Sequence, residues 1–153
     1  MLFRSGDAGD LAIAAREIAL REGTRLLSES RGQSTGDAGN VTLRADNTVT
    51  ISDTAIDTFT TGTGNAGTVS ITADAVRLDA GTEISAYTRG SGDAGRVSVS
   101  AGRSILLTEN AAVSTETGNT GPAGVIELSA PEIRMEKRAV VSSSSLTDRK
   151  SVV

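Results

Sequence analysis

The chain has 153 residues, enough for one domain, and carries 15 Lys and Arg against 19 Asp and Glu, a formal charge of -4. It contains no Cys and no His, which removes disulfides, thiolate metal sites, histidine acid–base chemistry and the usual zinc sites. The acidic balance argues against nucleic acid as a partner, because phosphate binding needs a concentrated basic face.

Residues 1–5 read as the stump of a preceding coil, because they stand before the first of five similar stretches that start at Gly6, Gly36, Gly64, Gly92 and Gly121. The starts are separated by 30, 28, 28 and 29 residues, a period that marks a solenoid or array. The clearest copy is Gly36-Asp37-Ala38-Gly39-Asn40-Val41-Thr42-Leu43-Arg44-Ala45. Its first and fourth glycines suit a tight corner, needed either for positive φ or for a crowded backbone. Asp or Asn between them suits a turn in which the side chain bonds its own backbone. Ala8, Ala38, Ala66, Ala94 and Ala123 hold the third place, as expected where nothing larger fits.

The first repeat is the least regular. Asp10 to Ser30 also reads as an amphipathic helical cap with Asp10 as its N-cap. The repeat register favours strands, because Leu11, Ile13, Ala15, Ile18 and Leu20 fall where apolar residues fall in the other copies. Repeats two to four, Gly36 to Thr120, are the most regular. After each corner, alternating residues such as Val41, Leu43 and Ala45, or Val69, Ile71 and Ala73, predict a strand with one buried face. Thr42, Arg44, Ser70, Thr72, Ser98 and Ser100 take the water-facing places. A second segment follows with Ile18 and Leu20, Val49 and Ile51, Val76 and Leu78, Ile105 and Leu107, and Ile133 and Met135. A third begins at Leu26, Ile56, Ile84, Val113 or Val141 and runs into Ser/Thr-rich turns.

In the fifth repeat Pro122 and Pro131 stand at turn positions, where a missing N–H is tolerated. The repeats therefore occupy 6–145, and residues 146–153 are expected to fray. Three short strands winding once round an axis make one coil, so the expectation is an all-β, right-handed, single-stranded parallel β-helix of about five coils. At about 4.8 Å per coil it is a rod about 24 Å long.

The motif Gly-Asp/Asn-Ala-Gly-x-Val-x-Ile-x-Ala, as in Gly64-Asn65-Ala66-Gly67-Thr68-Val69-Ser70-Ile71 and Gly92-Asp93-Ala94-Gly95-Arg96-Val97-Ser98-Val99, resembles the shaft repeats of filamentous-haemagglutinin-like exoproteins of the bacterial two-partner secretion type. The resemblance spans about Gly6 to Ser145. It implies a right-handed β-helix, export through an outer-membrane transporter partner, a secreted or cell-surface location and a role in adhesion. The family's N-terminal secretion domain is not in these residues, and Met1-Leu2-Phe3-Arg4 runs into the first repeat without a signal peptide. Export is therefore an expectation about a parent protein. No apolar run approaches the ~20 residues of a membrane helix.

Catalysis by a β-helix needs two or three carboxylates gathered on adjacent coils of one outward face. The first segments offer Glu127 alone and the second offer Arg77 and Arg134, so no catalytic residue is assigned. The column Asp7, Asp37, Asn65 and Asp93 has the oxygen chemistry of a calcium site, but calcium wants six to eight ligands and a corner role is preferred. No cofactor or metal is expected. Arg16, Arg21, Arg25 and Arg31 interleave with Glu17, Glu22 and Glu29 as a solvated mixed-charge surface. Phe3, Phe59 and Tyr87 are too few for a sugar-stacking or base-stacking platform. The outward hydroxyl rows suit weak, multivalent contact with glycans or other surfaces.

The expected function is a non-catalytic structural or adhesive shaft segment. The alternatives are a polysaccharide-acting β-helix enzyme whose catalytic coils lie elsewhere, and an intracellular β-solenoid scaffold. One coil buries too little to offset the ordering of its ~28 residues, so the isolated segment is expected to be marginal or to self-associate end to end.

Overall fold

A computed structural model describes residues 6–32, 35–119 and 121–145. The stump and tail expected at 1–5 and 146–153 lie outside these residues. The chain is an all-β solenoid of five turns, with no helix among the described residues. The first turn supplies β1 (Leu11–Leu20) and β2 (Arg25–Ser30), and the second β3 (Val41–Ser52) and β4 (Ala55–Thr60). The third gives β5 (Thr68–Asp79) and β6 (Glu83–Thr88), the fourth β7 (Arg96–Leu107) and β8 (Ala112–Thr117). The fifth gives β9 (Val125–Ser129), β10 (Glu132–Met135) and β11 (Val140–Ser145). One parallel sheet runs β1-β3-β5-β7 and then β10, with β9 also on β7; the other runs β2-β4-β6-β8-β11.

The helical alternative for 10–30 gives way to β1 and β2. Leu11 pairs with Val41, Ile13 with Leu43 and Leu26 with Ile56, so these residues continue the ladders of the turn beside them. The expected first and second segments run together as one strand in turns one to four. A register shift marks the join, where Arg16 stands opposite Asp46 and Asn47, and Asp74 opposite Gly102 and Arg103. Such bulges bend a strand without ending it. In the fifth turn Ala130 and Pro131 separate β9 from β10, because proline cannot donate to the ladder.

Between the sheets lies a column of aliphatic side chains. Val41, Leu43, Ile51, Val69, Ile71, Leu78, Val97, Val99 and Leu107 are completely buried. Each such side chain contributes about 1.5–3 kcal/mol by leaving water. The second sheet departs from the simple expectation of Ser/Thr outside. Thr58, Thr60, Thr88, Thr115 and Thr117 are buried on its inner side, and the Ser/Thr run lies within six-residue strands, not in turns. Some of the hydroxyls on this sheet reach the glycine corner, whereas Thr115 Oγ1 and Thr117 Oγ1 are buried without a hydrogen-bond partner among the described residues. Ser28 Oγ donates to the Gly9 carbonyl at 3.0 Å, Thr58 Oγ1 to that of Gly67 at 3.1 Å and Ser143 Oγ to that of Gly124 at 2.7 Å.

The glycine corners work by crowding. Gly36, Gly64, Gly92 and Gly121 have no positive φ; an added Cβ would sit 2.1–2.3 Å from the glycine carbonyl oxygen of the preceding turn. Besides Gly32, after β2, positive φ occurs at the opposite corner, at Glu22 and Gly23, Asp53, Ala80 and Gly81, Glu109 and Asn110, and Lys137 and Arg138. There Thr82, Ala111 and Ala139 N–H close four-residue turns on Asp79, Thr108 and Glu136 C=O. Two positive φ values in succession are the type I′ requirement. Ala80 at φ 47 carries a cost that glycine avoids, so Ala80→Gly is expected to raise stability by about 0.5–1 kcal/mol in urea unfolding. A fall in stability would mean that this turn is not held in the left-handed region.

Candidate functional site

The Asp/Asn column at the glycine corner bonds between turns and not within its own turn, correcting the expectation of self-bonded Asx turns. Asp7 Oδ1 accepts from Asp37 N–H at 3.0 Å, Asp37 Oδ1 from Asn65 N–H at 2.7 Å and Asn65 Oδ1 from Asp93 N–H at 2.9 Å. In return Ala8 N–H donates to Asp37 C=O and Ala38 N–H to Asn65 C=O, both at 2.9 Å. Those side-chain oxygens clamp one turn to the next. Pro122 continues the column with a carbonyl acceptor for Ala94 N–H but without an N–H of its own.

The outward hydroxyl positions on the first sheet are regular. Ser70 faces Ser98, and Thr72 lies between Arg44 and Ser100, forming flat rows along the axis. Arg77 pairs with Asp79 and Arg134 with Glu132, each at 2.6 Å. Arg103 reaches across the bulge to Asp74 at 2.6 Å. These cations are held by near neighbours, and the arrangement is a solvated charged face.

The second sheet breaks the monotony. Its outward columns read Arg25, Ala55, Glu83, Ala112; then Leu27, Asp57, Ser85, Ser114; then Glu29, Phe59, Tyr87, Glu116. Counting outward carboxylates on the first two segments misses this face. Aligning RLLSES, AIDTFT, EISAYT and AVSTET by the repeat register would have shown Asp57, Glu83 and Glu116 on three consecutive turns. Together with Arg25 and Arg89 they line an open groove of about 810 Å³ that Tyr87, Thr88 and Ser114 also border.

Within the groove Asp57 is 9% exposed, and its Oδ1 accepts from Ser85 Oγ at 2.6 Å while Arg25 stands 3.7 Å from Oδ2. A buried carboxylate needs such partners, since an unpaired charge is costly away from water. Phe59 and Tyr87 stack with ring centroids 4.9 Å apart and planes 3° from parallel, and the Arg89 guanidinium lies 5.8 Å over the Tyr87 ring. The faces of Tyr87 are thus turned toward Phe59 and Arg89. The pair offers ring edges and a phenol to the groove, not a bare face for a sugar.

Burial pushes the Tyr87 phenol above its ordinary value of 10.0; Arg89 opposes this, and Asp57 and Glu83 add to it. The fold thus favours the protonated phenol. That contribution to stability is present below pH 10 and lost as pH rises through the higher folded value. Tyr87 is the only tyrosine in the chain, so its ultraviolet titration reads this group alone. The midpoint is expected above 10.0 and should fall toward it in Phe59→Ala; a native midpoint at or below 10.0 would contradict the buried stack.

Carboxylates that accept, guanidiniums that donate, and a phenol and hydroxyls that do both suit a hydroxyl-rich ligand lying along the sheet. No family model, curated protein or solved structure matches the chain.

Proposed function

We propose that this chain is a non-catalytic shaft segment of an exported bacterial surface protein of the filamentous-haemagglutinin-like type. In that reading an outer-membrane transporter partner carries the parent protein out, and it acts at the cell surface or after secretion. The observation that carries the reading is the constancy of the cross-section. Leu43, Ile71 and Val99 occupy one column, and Gly36, Gly64, Gly92 and Gly121 another, so each turn presents the next with the surface that it received. Such a stack extends by adding like turns, since each depends only on its neighbours. It holds whatever is displayed on it at a fixed distance.

Adhesion is then the work of the outer faces, and the groove of Asp57, Glu83, Tyr87 and Glu116 is their best-furnished patch for glycan hydroxyls. A glycan array probed with the chain tests this. Binding that Asp57→Ala and Glu116→Ala reduce supports an adhesive shaft, and no glycan binding contradicts the adhesive part. The export part is tested by the gene's reading frame: an in-frame secretion domain supports it and an isolated frame with its own start site contradicts it.

A polysaccharide-acting enzyme is the second reading, favoured by the same three carboxylates on consecutive turns beside Arg25 and Arg89. Incubation with neutral and acidic polysaccharides separates the two. New reducing ends or unsaturated products that vanish in Glu116→Gln support the enzyme, and unchanged polymer supports the shaft.

A further inference from the structure

We infer that the groove on the second sheet selects glycans whose sugars carry a primary amine, and that it holds the ammonium between Asp57 and Glu83. The inference rests on the adhesive reading of that groove and names the sugar chemistry that it takes.

The amine site is a small cell in the outward columns. Arg25, Ala55 and Glu83 stand on successive turns of one column, and Asp57 and Ser85 lie on the second and third turns of the next. The short Ala55 side chain leaves a gap between Arg25 and Glu83, and Asp57 stands two residues along the same strand. Asp57 is the most buried of the groove's carboxylates, yet only one of its oxygens is satisfied. Oδ1 accepts from Ser85 Oγ at 2.6 Å. Oδ2 accepts no hydrogen bond among the described residues; its neighbour Arg25 stands 3.7 Å away, beyond hydrogen-bond length, on a side chain that is 66% exposed. A buried carboxylate oxygen in that state gains from a donor brought by a ligand, and a charged donor bonds it about twice as strongly as a neutral one.

The charge of the groove sets the sign of that donor. Neither Glu83 nor Glu116 has an ion-pair partner among the described residues. Of the two guanidiniums, Arg25 is turned to Asp57 and Arg89 lies over the Tyr87 ring. Three carboxylates against two guanidiniums leave the groove negative. The Tyr87 phenol, held protonated by burial, adds a donor and an acceptor without adding charge. An N-acetylated sugar would bring a neutral amide to the same place and leave Asp57 and Glu83 without a countercharge, so the groove discriminates against it.

The floor favours a sugar over a peptide with the same amine. The strands beneath, β4, β6 and β8, are paired on both sides, so no backbone edge is open for a peptide to join. Ser114 continues the column of Asp57 and Ser85, and Glu116 follows it two residues along β8. A glycan with its amine on Asp57 thus finds hydroxyl and carboxylate partners for its own hydroxyls on the turns that follow.

Calorimetric titration of the whole chain with a glucosamine oligomer and with its fully N-acetylated counterpart tests the inference, at a mildly acidic pH where the sugar amines are protonated. The two ligands differ only at the nitrogen. The amine oligomer should bind at least about tenfold more tightly, and Glu83→Gln should remove most of that advantage. Asp46→Asn, the same loss of charge on the first sheet, should leave it unchanged. Equal affinity for the two oligomers overturns the amine selection and leaves the glycan reading standing. Equal losses in Glu83→Gln and Asp46→Asn would show attraction by overall charge, and a lysine oligomer that binds as tightly would show a site for any cation; either overturns the inference. If neither oligomer binds, the inference falls, and the glycan array decides the adhesive reading separately.

Discussion

Ile71→Asp is expected to abolish cooperative folding of the chain. Ile71 is completely buried in the middle turn, between Leu43 and Val99 of the turns on either side. Its column is aliphatic, with no donor aimed at it. An aspartate there loses the ~1.5–3 kcal/mol of apolar burial and leaves an uncompensated charge in a low-dielectric column. Against a total stability of about 5–15 kcal/mol, that is enough to part the stack at its centre. The neighbour on the chain provides the control. Thr72 points outward between Arg44 and Ser100 and is exposed, so Thr72→Asp should change stability by no more than about 0.5 kcal/mol. Circular dichroism melting checks both. A folded Ile71→Asp, or a Thr72→Asp that unfolds, would mean that the two faces of β5 are the reverse of those described.

The second large effect is expected from a single methyl group. In Gly64→Ala the new Cβ would lie 2.1 Å from the Gly36 carbonyl oxygen and 2.6 Å from its carbon, and in Gly92→Ala it would lie 2.1 Å from the Gly64 oxygen. These obstacles are backbone, which cannot swing aside as a side chain can. Relief requires adjacent turns to separate at that corner, breaking the Asp37-to-Asn65 and Ala38-to-Asn65 bonds nearby. A loss of about 4 kcal/mol or more is expected, in the range reserved for severe core and backbone disruptions. Gly6→Ala, chemically the same change, should leave the stability of one copy unchanged. Equal losses at Gly6 and Gly64 in chemical denaturation would show that glycine is needed for its own turn's conformation and not for the approach of the preceding turn.

How much of this was legible in the sequence follows from what repeats. Leu43, Ile71 and Val99 recur at one phase of a fixed period, so their burial, the parallel stacking and the number of turns can be read from spacing alone. The glycines were legible as necessary, but their reason was not, because positive φ and crowding leave the same residue. Asp37 and Asn65 look like turn formers in either case; only the stacked geometry shows the side chain reaching the next turn. The inner Thr58, Thr60 and Thr88 were misplaced because a hydroxyl on a strand normally faces water. Here the Gly67 carbonyl supplies Thr58 with an acceptor inside, and the glycine N–H at positions 62 and 90 donate to Thr60 and Thr88. The groove was missed for a different reason. Asp57, Glu83 and Glu116 are not at equivalent positions in their repeats, so they form no column and show only when the third segments are laid side by side.

Equivalent positions of successive turns lie side by side at a constant rise. Thr42, Ser70, Ser98 and Glu127 form one such outward column, and the chain has no native cysteine to interfere. Spin labels on Thr42→Cys paired with Ser70→Cys, Ser98→Cys or Glu127→Cys measure that rise directly. The expected separations increase by about 4.8 Å per turn, so the pair three turns apart is about 10 Å wider than the adjacent pair. Separations that do not rise in that order, or an adjacent pair without strong dipolar coupling, would contradict the stacked solenoid and every functional reading built on it.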